Sequence, residues 1–167
     1  MPCRRAVRLA ALLAALSSSH ASALDIYWGT TAGLMRPDAG GGRPALNLGG
    51  YLGLPLAFFA GVPLLQGLAV EAEGTVTALE GEEANGRDFS VAALGGYVVW
   101  RSAGPWYVKA RAGLLAERVQ VGGGEADDYG ASGGIGFGRR LADGGALEIG
   151  LTQIERDLVF LSVGFTY

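Results

Sequence analysis

One stretch of the sequence has the pattern of a hydrolase nucleophile. Gly130-Ala131-Ser132-Gly133-Gly134 fits G-x-S-x-G, in which a serine stands on a strand-to-helix turn and uses a histidine as its base. The only histidine of the chain is His20, close to the amino terminus, and no helical pattern follows Ser132. Glycine makes up 29 of 167 residues, so composition alone explains the match. We therefore predict no catalytic residue and no enzymatic activity.

Acidic residues form the second group that could do chemistry, by binding a divalent cation. Their spacing does not resemble a calcium-binding loop, so we interpret them as solvated loop charges. The alternative is that they bridge divalent cations to phosphorylated lipid. We predict no metal site and no cofactor. The acidic residues in question are Glu80, Glu82, Glu83 and Asp88 in one segment and Glu125, Asp127 and Asp128 in another.

The amino-terminal residues have the three parts of a signal peptide in the required order. Arg4, Arg5 and Arg8 form a basic region, LAALLAAL (9–16) is apolar, and Ala21-Ser22-Ala23 is an A-x-A cleavage site. The apolar run is too short to span a bilayer as a helix, which needs about 20 residues. The sequence predicts a signal peptide over 1–23, cleaved after Ala23, and one domain over 24–167. A buried amino-terminal helix is the alternative.

Cleavage at that site would change the chemistry that the chain can offer. Cys3 and His20, the only cysteine and histidine, would both be removed. Ten of the 13 basic residues and all 16 acidic residues would remain, which gives a net charge of −6. This acidic balance argues against a nucleic-acid partner.

The rest of the chain alternates between apolar and polar residues with a period of two, which is typical of strands. In WYVKARAGLLAE (106–117) the even positions are all apolar, while the odd positions include Lys109, Arg111 and Glu117. Most such segments are 9–12 residues long, the length that a tilted strand needs to cross a bilayer. We predict eight strands at 24–34, 45–54, 68–78, 88–99, 106–117, 128–138, 146–154 and 159–167.

The segments between these strands alternate between long and short, as in outer-membrane barrels. The long, polar ones are 35–44, 80–88 and 118–127, and the tight turns are 101–105 and 141–145. Two segments break the rule. The connection at 154–158 is short where a long loop is expected, and the apolar segment 55–66 is interpreted as a turn at the membrane interface.

The alternation also predicts which side chains fill the barrel. An eight-stranded barrel is just wide enough for side chains to fill it, and charges buried there must be paired. We expect a network of ion pairs in the interior. On the second, fourth, sixth and eighth predicted strands, we expect mainly glycine, serine or asparagine to face inward. The strand at 88–99 is ambiguous, and we favour Phe89, Val91, Ala93, Gly95, Tyr97 and Val99 as its outward set. The predicted interior charges are Asp25, Glu71, Glu73, Lys109, Arg111 and Glu148.

A soluble β-barrel or sandwich is the alternative fold. Its core would be lined by the apolar face, which is rich in alanine and glycine and would pack poorly. Export, strand length and loop asymmetry favour a transmembrane barrel.

Several segments resemble the small outer-membrane β-barrel family, which includes opacity-type porin-like proteins and the transmembrane domain of outer membrane protein A. They are YVKARAGLLAERV (107–119), GGIGFGRRL (133–141) and LEIGLTQIERDLVFLSVGF (147–165). The resemblance implies an eight-stranded antiparallel barrel in a Gram-negative outer membrane, with charges inside. The final LSVGFTY resembles the strand that the barrel-assembly machinery reads, with Gly164, Phe165 and Tyr167 as its signal. Alternatively, Tyr167 is an interface residue only.

We therefore expect an exported protein of the cell outer membrane, without a periplasmic peptidoglycan-binding domain. The preferred function is a structural and surface-interaction role, with short loops on a plugged barrel. A narrow pore and a lipid-modifying enzyme are the alternatives. The expected partners are outer-membrane lipid, lipopolysaccharide and the assembly machinery, and we expect a monomer with a surface ligand that the sequence does not identify.

Overall fold

The computed structural model describes residues 25–37, 42–56, 62–154 and 158–167. The predicted signal peptide, its cleavage site after Ala23, and parts of three connections lie outside these residues. Within them, no helix is long and apolar enough to span a membrane.

Eight long strands form a closed antiparallel barrel. Each long strand pairs with its sequence neighbours, and the last pairs with the first, so the sheet has no open seam. This confirms the predicted fold class. The barrel strands are β1 (Tyr27–Pro37), β3 (Ala45–Pro55), β4 (Leu68–Leu79), β6 (Asp88–Arg101), β7 (Trp106–Val121), β8 (Gly124–Arg140), β9 (Ala146–Ile154) and β10 (Leu158–Thr166), and the short strands are β2 (Gly42–Arg43) and β5 (Gly81–Glu83).

The two ends of the barrel differ. One end carries the turns 102–105 and 141–145, the start of β1 and the end of β10, and we call it the turn end. The other carries β2, β5 and the tip of the β7–β8 hairpin, and we call it the loop end. At the loop end β5 pairs with both β2 and the beginning of β6. A 3₁₀ turn at Pro63–Leu65 lies in the connection between β3 and β4.

The third predicted loop, 118–127, is a correction. These residues continue β7 and β8 as a hairpin that is closed by Gly122-Gly123. Both glycines have positive φ angles, 53° and 88°, as a tight two-residue hairpin turn requires. The alternation of the strands therefore continues through these residues, although their polar, glycine-rich composition predicts a loop.

The orientation of β6 is a second correction. Phe89, Val91, Tyr97 and Val99 are buried inside the barrel, whereas Leu94 and Val98 face outward and are more than half exposed. Val99 lies opposite Arg111 on β7, and directly opposed residues share a face of the sheet. Both faces of this strand are apolar, so composition could not set its orientation, and the register with β7 does.

The outer surface is apolar around the barrel. Leu94, Leu114 and Ile135 are 67%, 73% and 68% exposed. Aromatic rings lie on this surface towards the turn end, where Trp28 stacks on Tyr167 and Trp106 on Phe137. An apolar band with an aromatic girdle is the surface that a barrel presents to lipid.

Candidate functional site: the barrel interior

The interior has two layers, and the layer near the turn end is ionic. Arg101, at the end of β6, lies at its centre. Its guanidinium donates to Glu71 at 2.6 Å, to Glu148 at 2.9 Å and to the hydroxyl of Tyr27 at 2.9 Å. One cation therefore joins carboxylates from β4 and β9, on different sides of the barrel.

Lys109 on β7 completes the pairing of these two carboxylates. Its ammonium lies 2.8 Å from Glu148 Oε2 and 3.3 Å from Glu71 Oε2. Two hydroxyls contribute further bonds, since Tyr27 donates to Glu71 at 2.8 Å and Tyr107 donates to Glu148 at 2.7 Å. Two bases and two acids thus balance in charge, which a buried cluster requires.

A second ion pair lies further from the turn end. Arg111 on β7 pairs with Glu73 on β4 and donates from Nε to Thr152 Oγ1 at 3.1 Å. Its guanidinium also lies 4.5 Å from the centre of the Tyr97 ring. Together with the first cluster, this pair forms what we call the ion layer: Tyr27, Glu71, Glu73, Arg101, Tyr107, Lys109, Arg111 and Glu148.

Tyrosine rings in the interior lie against glycines. Tyr27 is opposite Gly53, and Tyr107 is opposite Gly138. A Cβ added at either glycine would overlap the ring. The glycines that the sequence places inward therefore make room for the rings that hold the carboxylates.

The structure brings together five of the six predicted interior charges: Glu71, Glu73, Lys109, Arg111 and Glu148 all lie in the ion layer. Asp25 is a correction. It precedes β1, which begins at Tyr27, and it is exposed. The alternation extends to Asp25 in the sequence, but the barrel wall does not, so this carboxylate is hydrated.

Arg101 is the residue that the sequence interpretation missed, because RSAGP was assigned to a turn. Val99 and Arg101 share a face of β6. The alternation would have placed Arg101 inside if the orientation of β6 had been assigned correctly. β6 is the fourth barrel strand, so the even-numbered barrel strands (β3, β6, β8 and β10) are not limited to small polar residues on their inward face.

The layer near the loop end is mainly apolar, although Asn47 and Glu117 are also buried there, and the sequence interpretation did not predict this layer. Its side chains come from both odd- and even-numbered barrel strands, counted along the chain without the short strands β2 and β5. Val119 and Val121 pack against it. We call it the apolar layer: Met35, Ala45, Phe89, Val91, Ala93, Leu115, Ile154, Leu158 and Phe160.

Little free space remains between the side chains of the ion layer. A cavity of about 30 Å³ is lined by Tyr51, Glu73, Lys109, Arg111 and Glu148 among others. This is room for about two water molecules.

Ser132 lies in the middle of β8, not on a turn. Its hydroxyl donates to the carbonyl of Gln153 at 2.8 Å and accepts from Tyr97 at 3.2 Å. No strand-to-helix elbow surrounds it, so the geometry that a serine nucleophile needs is absent from this position.

The predicted assembly signal lies at the seam between β10 and β1. Tyr167 is exposed, stacks on Trp28 with ring centres 4.9 Å apart, and contacts Phe165 at 4.4 Å. Gly164 faces β1, where an added Cβ would lie 3.2 Å from the carbonyl of Thr30. Both aromatic residues therefore belong to the girdle at the turn end.

The acidic residues at the hairpin are partly paired. Arg118 donates to Asp127 at 2.7 Å and lies 3.1 Å from Glu125. The hydrogen bond from Arg118 lowers the pKa of Asp127 below its ordinary value. Within the described residues, no group of three or more side chains has the arrangement of a metal site.

Comparison with known proteins gives structural likeness only. No protein-family model matches the sequence, and no curated protein is significantly similar to it. Neisserial surface protein A is 13% identical, with a TM-score of 0.57 over 84% of this chain and 94% of that one. Ail of Yersinia pestis, in complex with the heparin analogue sucrose octasulfate, is 10% identical, with a TM-score of 0.51 over 85% and 96%.

Such low identities establish the fold and not the activity. The similarity covers nearly the whole length of both solved proteins. The chain therefore has the closed eight-stranded antiparallel fold of the small outer-membrane β-barrels.

Proposed function

We propose that the chain is an integral outer-membrane protein whose filled barrel anchors a surface hairpin for interaction with other molecules. The observation that carries this proposal is the arrangement of the two faces of the barrel wall. Ion pairs lie inside the barrel, and a continuous apolar band lies outside it. A soluble barrel would place these groups the other way round.

The filled interior supports an anchor in preference to a pore. The ion layer links β4, β6, β7 and β9 across the barrel, and the apolar layer fills the loop end. Ions could pass only if both layers rearranged. The structure likewise offers no support for the third alternative, a lipid-modifying enzyme, since Ser132 is buried and bonded within the wall.

The outward face supports outer-membrane lipid as a partner. Lipid acyl chains would contact the apolar band, and the girdle of Trp28, Trp106 and Tyr167 would lie at the headgroups. Residues 1–23 would direct export to the periplasm, and Gly164, Phe165 and Tyr167 would be read by the assembly machinery. The turn end would then face the periplasm and the loop end the cell exterior, with the barrel as a monomer.

The charge of the loop end argues against a polyanionic ligand such as the heparin analogue bound by Ail. Within the described residues the side chains that are accessible to solvent at this end include seven acidic ones and four basic ones, Arg36, Arg43, Arg87 and Arg118. A polyanion would be repelled by this excess.

Membrane fractionation combined with electrophoresis of unboiled and boiled samples tests the anchor. We expect the protein in the outer-membrane fraction and a shift in mobility on heating. A protein that stays folded and monomeric in buffer without detergent would overturn the proposal. Current steps in planar bilayers would support the pore instead, and altered acyl chains of lipopolysaccharide on expression would support the enzyme.

Orientation can be tested with single cysteines, because the chain after residue 23 has none. Ala126→Cys lies in the hairpin and Ala103→Cys in a turn at the other end, and both positions are exposed. On intact cells a membrane-impermeant maleimide should label Ala126→Cys only. Labelling of Ala103→Cys alone would indicate the opposite orientation. Labelling of neither variant would indicate that the hairpin does not lie at the cell surface.

A further inference from the structure

The β7–β8 hairpin leaves one sheet edge without a partner strand. β8 pairs with β7 from Gly124 to Arg139, but with β9 only from Ser132 onward. Residues 124–131 therefore have a strand on one side only, among the residues that the structure describes. We call this segment the free edge. Every residue in it except the half-buried Gly130 is exposed.

The backbone groups on the free edge can be assigned from the turn. In a two-residue hairpin the flanking residues, here Val121 and Gly124, form a hydrogen-bonded pair, and such pairs alternate along the strands. The N–H and C=O groups of Glu125, Asp127 and Tyr129 then point away from β7. This assignment agrees with the structure, in which the N–H of Tyr129 donates to the side chain of Asp128 at 2.8 Å.

The side chains beside the free edge determine the charge of a partner. Glu125, Asp127 and Asp128 lie on it, and Arg118 is the single basic residue among them. A cavity of about 470 Å³ at the hairpin tip continues this surface, and its carboxylates are Glu80, Asp88 and Glu125. The surface is thus acidic from the cavity to the edge.

We propose that the free edge binds an extended basic peptide segment of another protein as an additional antiparallel strand. Backbone groups of Glu125 and Asp127 would pair with the peptide, and lysine or arginine at alternate positions would lie beside the carboxylates. This inference rests on the proposed surface role and specifies the partner. Pairing between two copies of the chain is disfavoured, since it would bring the same three carboxylates together from both sides.

The test uses an acetylated and amidated peptide of alternating lysine and threonine with the full chain in lipid nanodiscs. Two control peptides keep one property each. One has N-methyl groups at alternate residues, which keep the charge but block strand pairing, and the other has glutamate in place of lysine. Fluorescence anisotropy should show binding of the lysine peptide, at least about tenfold weaker binding of the methylated one, and none of the glutamate one.

A matched pair of variants tests the protein side. Asp127→Pro and Asp127→Ala both remove the carboxylate and its bond to Arg118, but only proline removes the edge N–H. We expect Asp127→Pro to bind the lysine peptide about tenfold more weakly than Asp127→Ala does. Mobility shift on heating shows whether each barrel is folded, so a failure to bind is distinguishable from a failure of the membrane anchor.

Three results would overturn the inference. Equal affinity for the methylated and unmethylated peptides would mean adsorption by charge alone. Absence of binding of the lysine peptide to the folded wild-type barrel would show that the free edge does not bind a basic strand. Dimers in the nanodiscs that are lost in Asp127→Pro but kept in Asp127→Ala would assign the free edge to a second copy of the chain. If the proline variant does not fold, the comparison of the two peptides still decides the question.

Discussion

Replacement of Arg111 by alanine should destabilise the barrel far more than replacement of the exposed Arg36. Arg111 is the cation paired with Glu73, since Arg101 and Lys109 are bonded to Glu71 and Glu148. The variant would leave the carboxyl group of Glu73 in the interior without its base. It would also remove donors from Thr152 and the cation from the face of Tyr97.

The expected loss of stability in Arg111→Ala follows from the contacts that the variant removes. Removal of one partner of a buried ion pair costs about 3–5 kcal/mol. For an m-value of about 2 kcal/mol/M in urea, the midpoint would fall by about 1.5–2.5 M. Arg36→Ala should change the free energy of unfolding by at most about 0.5 kcal/mol, because hydrated surface charges contribute little.

Refolding into lipid vesicles, followed by tryptophan fluorescence against urea, measures both variants. A double variant, Arg111→Met with Glu73→Leu, serves as the control for lost packing. It should recover much of the stability, since an apolar pair of similar volume replaces the ion pair. Equal midpoints for Arg111→Ala and Arg36→Ala would refute the reasoning, and so would a double variant no more stable than Arg111→Ala.

Two further predictions test the packing of the glycines and the orientation of β6. Gly138→Ala should lower the urea midpoint by the equivalent of about 1–3 kcal/mol, because the added methyl group overlaps the Tyr107 ring. Gly96 has open space around it, so Gly96→Ala should leave the midpoint unchanged. Equal midpoints for the two variants would contradict the interior position of the Tyr107 ring. In vesicles, Leu94→Cys should react with a lipid-soluble maleimide, and Ala93→Cys, which is 9% exposed, should be protected; the reverse pattern would restore the orientation that the sequence favoured.

The alternation of polar and apolar residues was sufficient for most of the barrel. It predicted the eight strands because each strand has two environments, lipid and interior, and side chains alternate between them. It also placed Glu71, Glu73, Lys109, Arg111 and Glu148 on inward positions. These predictions needed only the period of the pattern, which is local.

The alternation failed where it carried no contrast between the faces. Both faces of β6 are apolar, so Phe89 and Leu94 were equally good candidates for the outside. The error had a second consequence, because Arg101 follows the orientation of that strand and was assigned to a turn. At the hairpin the failure was different, since residues 118–127 are rich in charge and glycine, and cross-strand pairs such as Arg118 with Asp127 accompany the extension of the strands there.

By itself, the sequence determined that this chain is a barrel with charges on one face of its strands, since a period of two is a property of neighbouring residues. Only the tertiary structure decided how those charges pair, that Arg101 lies at their centre, that an apolar layer fills the loop end and that β8 has a free edge. The reason is that each of these depends on the register of one strand against the next. The pattern within a single strand indicates which residues face inward, but a shift of register by two residues keeps the same faces and changes every cross-strand partner.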